Sequence, residues 1–363
     1  MKSLSKHATR EIPMRTSREG GVGFWHLIAH PAAAPAALPG GAATWAARLA
    51  GLTSPAMAAD LLGPVADKLL DGEAVRLSRL QGRFRRARQR QTLRWIASAG
   101  FDPVALKGFA NAALLYGDPD ARVVGDLDIL VRPEDWRRLV DFLGAAGYRF
   151  MPAPLPRWGF ISDASLAPCI SPDGAVNVDI HLKPDCYPLS RGLSAEAVLG
   201  AGCRIEEDAY ALPALEHVLL LAISNASKDK FGPFAVKQLA DALVLLRDHG
   251  GELDWEEILW RVRRARLWRA FRVTLALFLA LGLPRECLPR NLHAPVDRVK
   301  GGEFERLVAA WSRLFDGATG QPGPFTLLRR EWLLSAEPDV AVVRTWWRMK
   351  GLARPRTGVP SRH

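Results

Sequence analysis

The stretch Gly125 to Leu130, GDLDIL, sets two aspartates one residue apart inside an apolar run. Alternation of this kind is the pattern of a β-strand, and period-two geometry predicts Asp126 and Asp128 on one face. Two carboxylates at that spacing repel, so the fold has to bring a cation to them. The flanking sequence narrows the architecture further. PVALKG, from Pro103, reads as a short strand with a turn at Lys107 and Gly108, and FANAALLYG as a short helix closed by Gly117. RVVGDLDILV is the second strand. It is followed by PEDWRRLVDFLGAAG, a helix with Pro and acids in its first turn, closed by Gly147. YRFM begins a third strand, a Pro-rich excursion runs from Pro152 to Pro172, and AVNVDIHL alternates as a fourth strand. Such a series predicts helices packed on a small mixed sheet.

Around this unit the texture is helical. Residues 1 to about 30 are expected to be poorly ordered, and HPAAAPAALPGGAATW reads as a linker with little to bury. Helical patterning begins near Trp45. A long helix is predicted over roughly Gly72 to Ala99, with arginines at 76, 79, 83, 85, 86, 88, 90 and 94. A nucleic-acid-binding helix is one reading of it. The other, which is preferred, is a solvated face on a helix packed through Leu77, Leu80, Phe84 and Leu93. From about Ala211, ALEHVLLLAISNAS, FAVKQLADALVLLRD, WEEILWRVRRARLWRAFRVTLALFLALG and GEFERLVAAWSRLF carry apolar residues at helical spacing. Trp346 and Trp347 read as helix packing. The expected fold is α+β: a poorly ordered segment and linker (1–44), a helical segment (45–100), a small mixed-sheet core (101–210), a helical domain (211–350) and a basic tail (351–363).

Across 363 residues, 49 basic against 38 acidic side chains give a net charge of +11. That favours a polyanionic partner, nucleic acid or nucleotide phosphates, unless it reflects an arginine-rich genomic composition. Cys169, Cys186, Cys203 and Cys287 are scattered without C-x-x-C spacing, as expected of free thiols in a reducing cytoplasm and not of a zinc site. No apolar run approaches the ~20 residues of a membrane span, and the basic N-terminus adjoins no apolar core. The expected location is therefore cytoplasmic, with no membrane partner.

The chemistry lies in residues 103–182. A Gly turn after the first strand opens a helix whose N-terminal amides can hold a phosphate. Asp126 and Asp128 follow on one strand and Asp179 on a later one. Three carboxylates converging from neighbouring strands make an oxygen-rich site suited to Mg²⁺, with Mn²⁺ as the alternative. Two such ions about 3.5–4 Å apart activate a hydroxyl and neutralise a departing pyrophosphate. His181 shares Asp179's face by alternation and is a candidate beside a nucleotide, or a satisfied structural histidine. Lys228 and Lys230 are weaker candidates for phosphate contact.

LKGFANAALLYGDPDARVVGDLDILV, together with the downstream VDIH, resembles the bacterial uncharacterised nucleotidyltransferase-like family of the DNA polymerase beta superfamily. The pattern is carried by Leu106, Lys107 and Gly108, by Tyr116 and Gly117, by Arg122, by Asp126 and Asp128, and by Asp179 with His181. It is strongest over residues 101–182 and extends more weakly to about residue 250. The resemblance implies transfer of an NMP from an NTP, ATP in the first instance, with Asp126 and Asp128 holding the metals. Asp179 would complete the site and help deprotonate the acceptor. Gly108 would be the glycine turn, and Lys107 and Arg122 would contact the triphosphate. Two features depart from the pattern: Phe109 stands where a serine or glycine is usual, and Ser224 or Asn225 where a histidine is common. Asp241 matches. A small-molecule or peptide acceptor is favoured over RNA. The alternative is a catalytically degenerate protein that binds nucleotide or nucleic acid.

Overall fold

The computed structural model describes residues 20–30, 41–151, 164–205, 208–315 and 322–353. Helices α1 (Gly20–Ala29), α2 (Ala42–Leu52), α3 (Pro55–Leu62), α4 (Ala66–Leu69) and α5 (Gly72–Ser98) precede the sheet. Strands β1 (Val104–Ala105), β2 (Leu127–Leu130), β3 (Arg149–Phe150), β4 (Cys169–Ile170), β5 (Asn177–His181), β6 (Cys203–Ile205) and β7 (Tyr210–Leu212) alternate with α6 (Lys107–Leu115), α7 (Trp136–Ala145) and α8 (Ala195–Gly200). The chain then turns helical: α9 (Leu215–Lys228), α10 (Val236–His249), α11 (Trp255–Arg264), α12 (Trp268–Ala280), α13 (Arg290–Asp297), α14 (Gly302–Ser312), α15 (Pro324–Arg330) and α16 (Pro338–Ala353). The α+β class holds, with a mixed seven-stranded sheet in the order β3-β4-β5-β2-β1-β7-β6.

Strand β2 is buried along its whole length, as a central strand with both faces covered must be. Leu127 and Ile129 join Val178 and Ile180 in a core closed by Leu93, Ile96, Phe109, Leu139 and Leu143. Leu130 instead joins Val104, Leu106 and the apolar faces of α9, α10 and α12. The polar residues of the strand therefore open toward the helical half. The strand begins only at Leu127, so Asp126 sits in the bend before it.

Helix α5 packs by a different face from the one its leucines suggest. Leu77, Leu80 and Phe84 are exposed, while Ser78, Gly82, Gln89, Thr92, Leu93 and Ile96 are buried. Small residues decide this. At Gly82 the helix backbone comes so close to the 118–120 loop that an added Cβ would lie 2.1 Å from the Asp120 carbonyl oxygen. The arginines then find carboxylates: Arg79 with Asp118 at 3.0 Å, Arg83 with Asp120 at 3.6 Å, Arg88 with Asp173, and Arg90 and Arg94 with the buried Asp208. Arg86 lies 4.6 Å from the Phe109 ring centroid. The paired arginines stay substantially exposed, so the solvated face is present, and their ion pairs form a seam that ties it to the sheet unit.

The N-terminal expectation also changes. Residues 20–29, read as poorly ordered, form α1, and Trp25 and Ile28 are buried. Trp25 donates its indole N–H to Trp311 O at 2.8 Å, Trp45 donates to Ser312 O at 3.1 Å, and Trp311 donates to Phe231 O at 2.9 Å. Three large rings whose polar tips are all satisfied can be buried without penalty. Trp346 is half exposed, while the Trp347 side chain, residues 1–19 and most of the Pro152–Pro172 excursion lie outside what is described.

Gly82→Ala tests the seam. Helix propensity alone would make alanine better by about 1 kcal/mol. The collision with a backbone oxygen should outweigh it and leave a net loss of about 1–3 kcal/mol in urea unfolding. Phe84→Ala on the exposed face should stay within about 0.5 kcal/mol of the parent.

Candidate active site

Asp128 lies on β2, and its Cα pairs in register with Asp179 on the adjacent parallel strand β5. Registered residues on neighbouring parallel strands point to the same face, with their strands about 4.8 Å apart. His181, two residues beyond Asp179, shares that face. Asp128 and His181 meet Lys107 at the N-terminus of α6. Asp128 is buried, and its Oδ1 accepts from Lys107 Nζ at 2.5 Å. His181 Nε2 stands 2.8 Å from the same oxygen and 3.2 Å from Lys107 Nζ. It donates to the carboxylate or accepts from the ammonium according to its tautomer.

Burial works to raise the Asp128 carboxyl, but the Lys107 ammonium, helped by His181, overcomes it and holds the group well below the usual carboxylate range. For Lys107, burial would favour the neutral amine. The nearby Asp128, followed by Asp185, outweighs burial and keeps the amine charged. Asp126 behaves differently. It is exposed on one side, yet the protein packed around it and the Asp128 charge raise its carboxyl.

Lys107 opens α6 with a left-handed φ of +47°, a conformation costly for a residue with a Cβ. Leu106 N donates to Asp128 O at 2.9 Å, which brings that helix start onto the carboxylate strand. No side chain caps α6 at its N-terminus, leaving its first amides open. A Cβ at Gly108 would lie 3.2 Å from Val124, so the glycine lets the helix start settle on the segment leading into GDLD.

Arg122 sits elsewhere than the sequence suggested. Its guanidinium is buried and engages Asp241 on α10, Nη2 to Oδ2 at 2.9 Å and Nε to Oδ1 at 3.0 Å. Tyr116 OH and Asn111 Nδ2 donate to the same carboxylate, each at 2.8 Å. Lys228 donates to the buried Asp185, Nζ to Oδ1 at 2.5 Å, and Lys230 lies 3.6 Å from Glu331. Asp185 was missed in the sequence. Its only signal is an acid shortly after VDIH, at the end of LKPD.

By donor type the set suits a hard divalent cation: carboxylate oxygens on two paired strands and the bend before one of them, with a cation already seated against Asp128. Asp126, Asp128 and Asp179 would hold it. The seat is taken by the Lys107 ammonium, however, and among the described residues no three His, Cys, Asp or Glu side chains converge closely enough to hold an ion. A separate cavity of about 610 Å³ lies between α5 and the 118–120 loop, lined by Arg76, Arg79 and Arg83 opposite Asp67, Asp118 and Asp120. None of the carboxylates of the strand pair lines it.

The paired acids thus lie on a central parallel strand pair, with the open N-terminus of α6 beside them. Residues 59–281 match the family model described as uncharacterised nucleotidyltransferase, and the chain belongs to that family. The match runs from within α3 to the end of α12, with the carboxylate strands and Asp241 inside it. No curated protein matches the chain. Among the described residues, no helix is long and apolar enough to cross a membrane.

The Asp241 node carries a stability prediction. Asp241→Ala leaves the buried Arg122 without its counter-charge, so unfolding free energy should fall by about 3–5 kcal/mol in urea titrations. A change below about 1 kcal/mol would show that water reaches the guanidinium and that the pair is not a structural pin.

Proposed function

We propose that this protein transfers a nucleoside monophosphate from an NTP, with Mg²⁺, to a hydroxyl or phosphate acceptor. The observation that supports it most is the registered pairing of Asp128 with Asp179 opposite the uncapped start of α6. The bound ions would supply charge neutralisation for the triphosphate and its leaving pyrophosphate. The residues of the chain do the remaining work. The first amides of α6 receive phosphate oxygens, for which an unsatisfied helix N-terminus is suited. Lys107 contributes the ammonium nearest those oxygens. Asp179 accepts the proton of the attacking hydroxyl, held in line by the strand that carries it. Asp128 is favoured in its charged form by Lys107 and His181. Arg122 acts at one remove in this reading: fixed on Asp241, it holds the segment that presents Asp126.

The acceptor is a small molecule or a peptide in preference to RNA. Five arginines of α5 that would have offered an RNA surface are paired with carboxylates of the chain itself. One observation favours a second reading, nucleotide binding without transfer: Lys107 occupies the cation seat, and Asp126 lies outside the strand.

Calorimetric titration of ATP, CTP, GTP and UTP, each with Mg²⁺, separates the readings when followed by transfer of the α-labelled nucleotide in lysate. One nucleotide should bind in a Mg²⁺-dependent manner, and Asp126→Ala/Asp128→Ala should abolish that dependence. Labelled product should fall by about 10³-fold in Asp128→Asn, the scale of losing a principal electrostatic contact at a reacting centre. Mg²⁺-dependent binding with no labelled product from any nucleotide would leave the non-transferring reading standing.

A further inference from the structure

Lys107 presents a conflict. Its ammonium lies 2.5 Å from Asp128 Oδ1 and 3.2 Å from His181 Nε2, the position a divalent cation would need. A dication and an ammonium cannot share one carboxylate oxygen without strong repulsion. Either the lysine excludes the ion for good, or it has somewhere else to go.

Asp185 offers that place. It is 3 % exposed, and only one of its oxygens is used: Oδ1 takes Lys228 Nζ at 2.5 Å, while Oδ2 is buried and makes no hydrogen bond. The buried Ser224 hydroxyl lies beside this carboxylate but does not meet hydrogen-bond geometry with it. A carboxylate oxygen denied both water and a donor is costly, and native structures rarely keep one without a use. Asp185 is within electrostatic reach of Lys107. The lysine side chain is partly exposed, on a flexible four-carbon stem, so it can swing.

Resting on the nucleotidyltransferase reading above, we infer that Asp185 is a positioning residue acting through Lys107: it provides a second seat, at Oδ2, to which the Lys107 ammonium moves when a divalent cation takes its place at Asp128. In the ion-free protein the ammonium keeps the paired acids from repelling. In the ion-loaded protein the same charge is held by Asp185, one step from the carboxylates. The total charge in the pocket then changes only by the arriving ion. Lys228, already on Oδ1, keeps Asp185 ionised and ready.

Binding of Mn²⁺ alone, followed by the loss of its free electron paramagnetic resonance signal, tests this without any turnover. The competing ammonium is absent in Lys107→Met, which should bind Mn²⁺ at least about tenfold more tightly than the parent. Lys107→Arg, which keeps a cation at the seat, should not gain. Asp185→Asn should weaken Mn²⁺ binding by roughly threefold or more where Lys107 is present, and have no effect in the Lys107→Met background. That non-additivity is what a merely structural Asp185 would not produce. Lys107→Met binding no tighter than the parent, or Asp185→Asn weakening both backgrounds alike, overturns the inference while leaving the ion site intact. Absence of Mn²⁺ binding sensitive to Asp126→Ala/Asp128→Ala in every variant overturns the underlying reading together with it.

Discussion

The rest of the structure depends on one carboxylate held away from water, Asp241. Burying an ionised acid costs several kcal/mol unless its lone pairs are filled and its charge balanced. Here Arg122 supplies the charge in a two-pronged grip, and Asn111 and Tyr116 fill the remaining positions. The donors come from α6 and from the segment that runs into β2, the acceptor from α10. This polar knot therefore sets how the sheet unit sits against the helical half. It also holds the chain shortly before Asp126. The direction in which the paired aspartates face follows from it.

The site shows how little charge needs to be free for an acid cluster to persist in a basic protein. Asp128 and Asp185 are buried, and each is met by a lysine, Lys107 from the start of α6 and Lys228 from the end of α9. The two lysines come from the two halves of the molecule, so the pocket is complete only when both halves are in place. Asp126, open on one side and repelled by Asp128, is the member most easily protonated or drawn to an incoming cation.

Much of this was legible in the sequence, and the parts that were not have physical causes. The alternation in GDLDILV and AVNVDIHL located both carboxylate strands, and the helical spacing after Ala211 located the helical half. Strands β4, β6 and β7 are two or three residues long, too short for any period to declare itself. The packing face of α5 was misjudged because apolar periodicity assumes that leucines dock and arginines do not. Ser78 and Gly82 allow a closer backbone approach than any leucine could, and the arginines reach acids on the sheet unit. Arg122 looked like a phosphate ligand because its partner lies 119 residues away in α10. Asp185 gave no signal of its own, since its meaning comes from the lysine of another element.

The family match leaves out both ends of the chain, everything before residue 59 and everything after residue 281. Those ends meet one another. Trp25 and Trp45 hand their indole protons to the end of α14, Arg48 donates to Arg313 O, and Trp25 and Trp45 stack edge to face at 5.6 Å. The segments before and after the matched range are thus packed on one another. Removing either one alone would uncover the buried rings of the other and leave indole N–H groups or backbone carbonyls there without their partners.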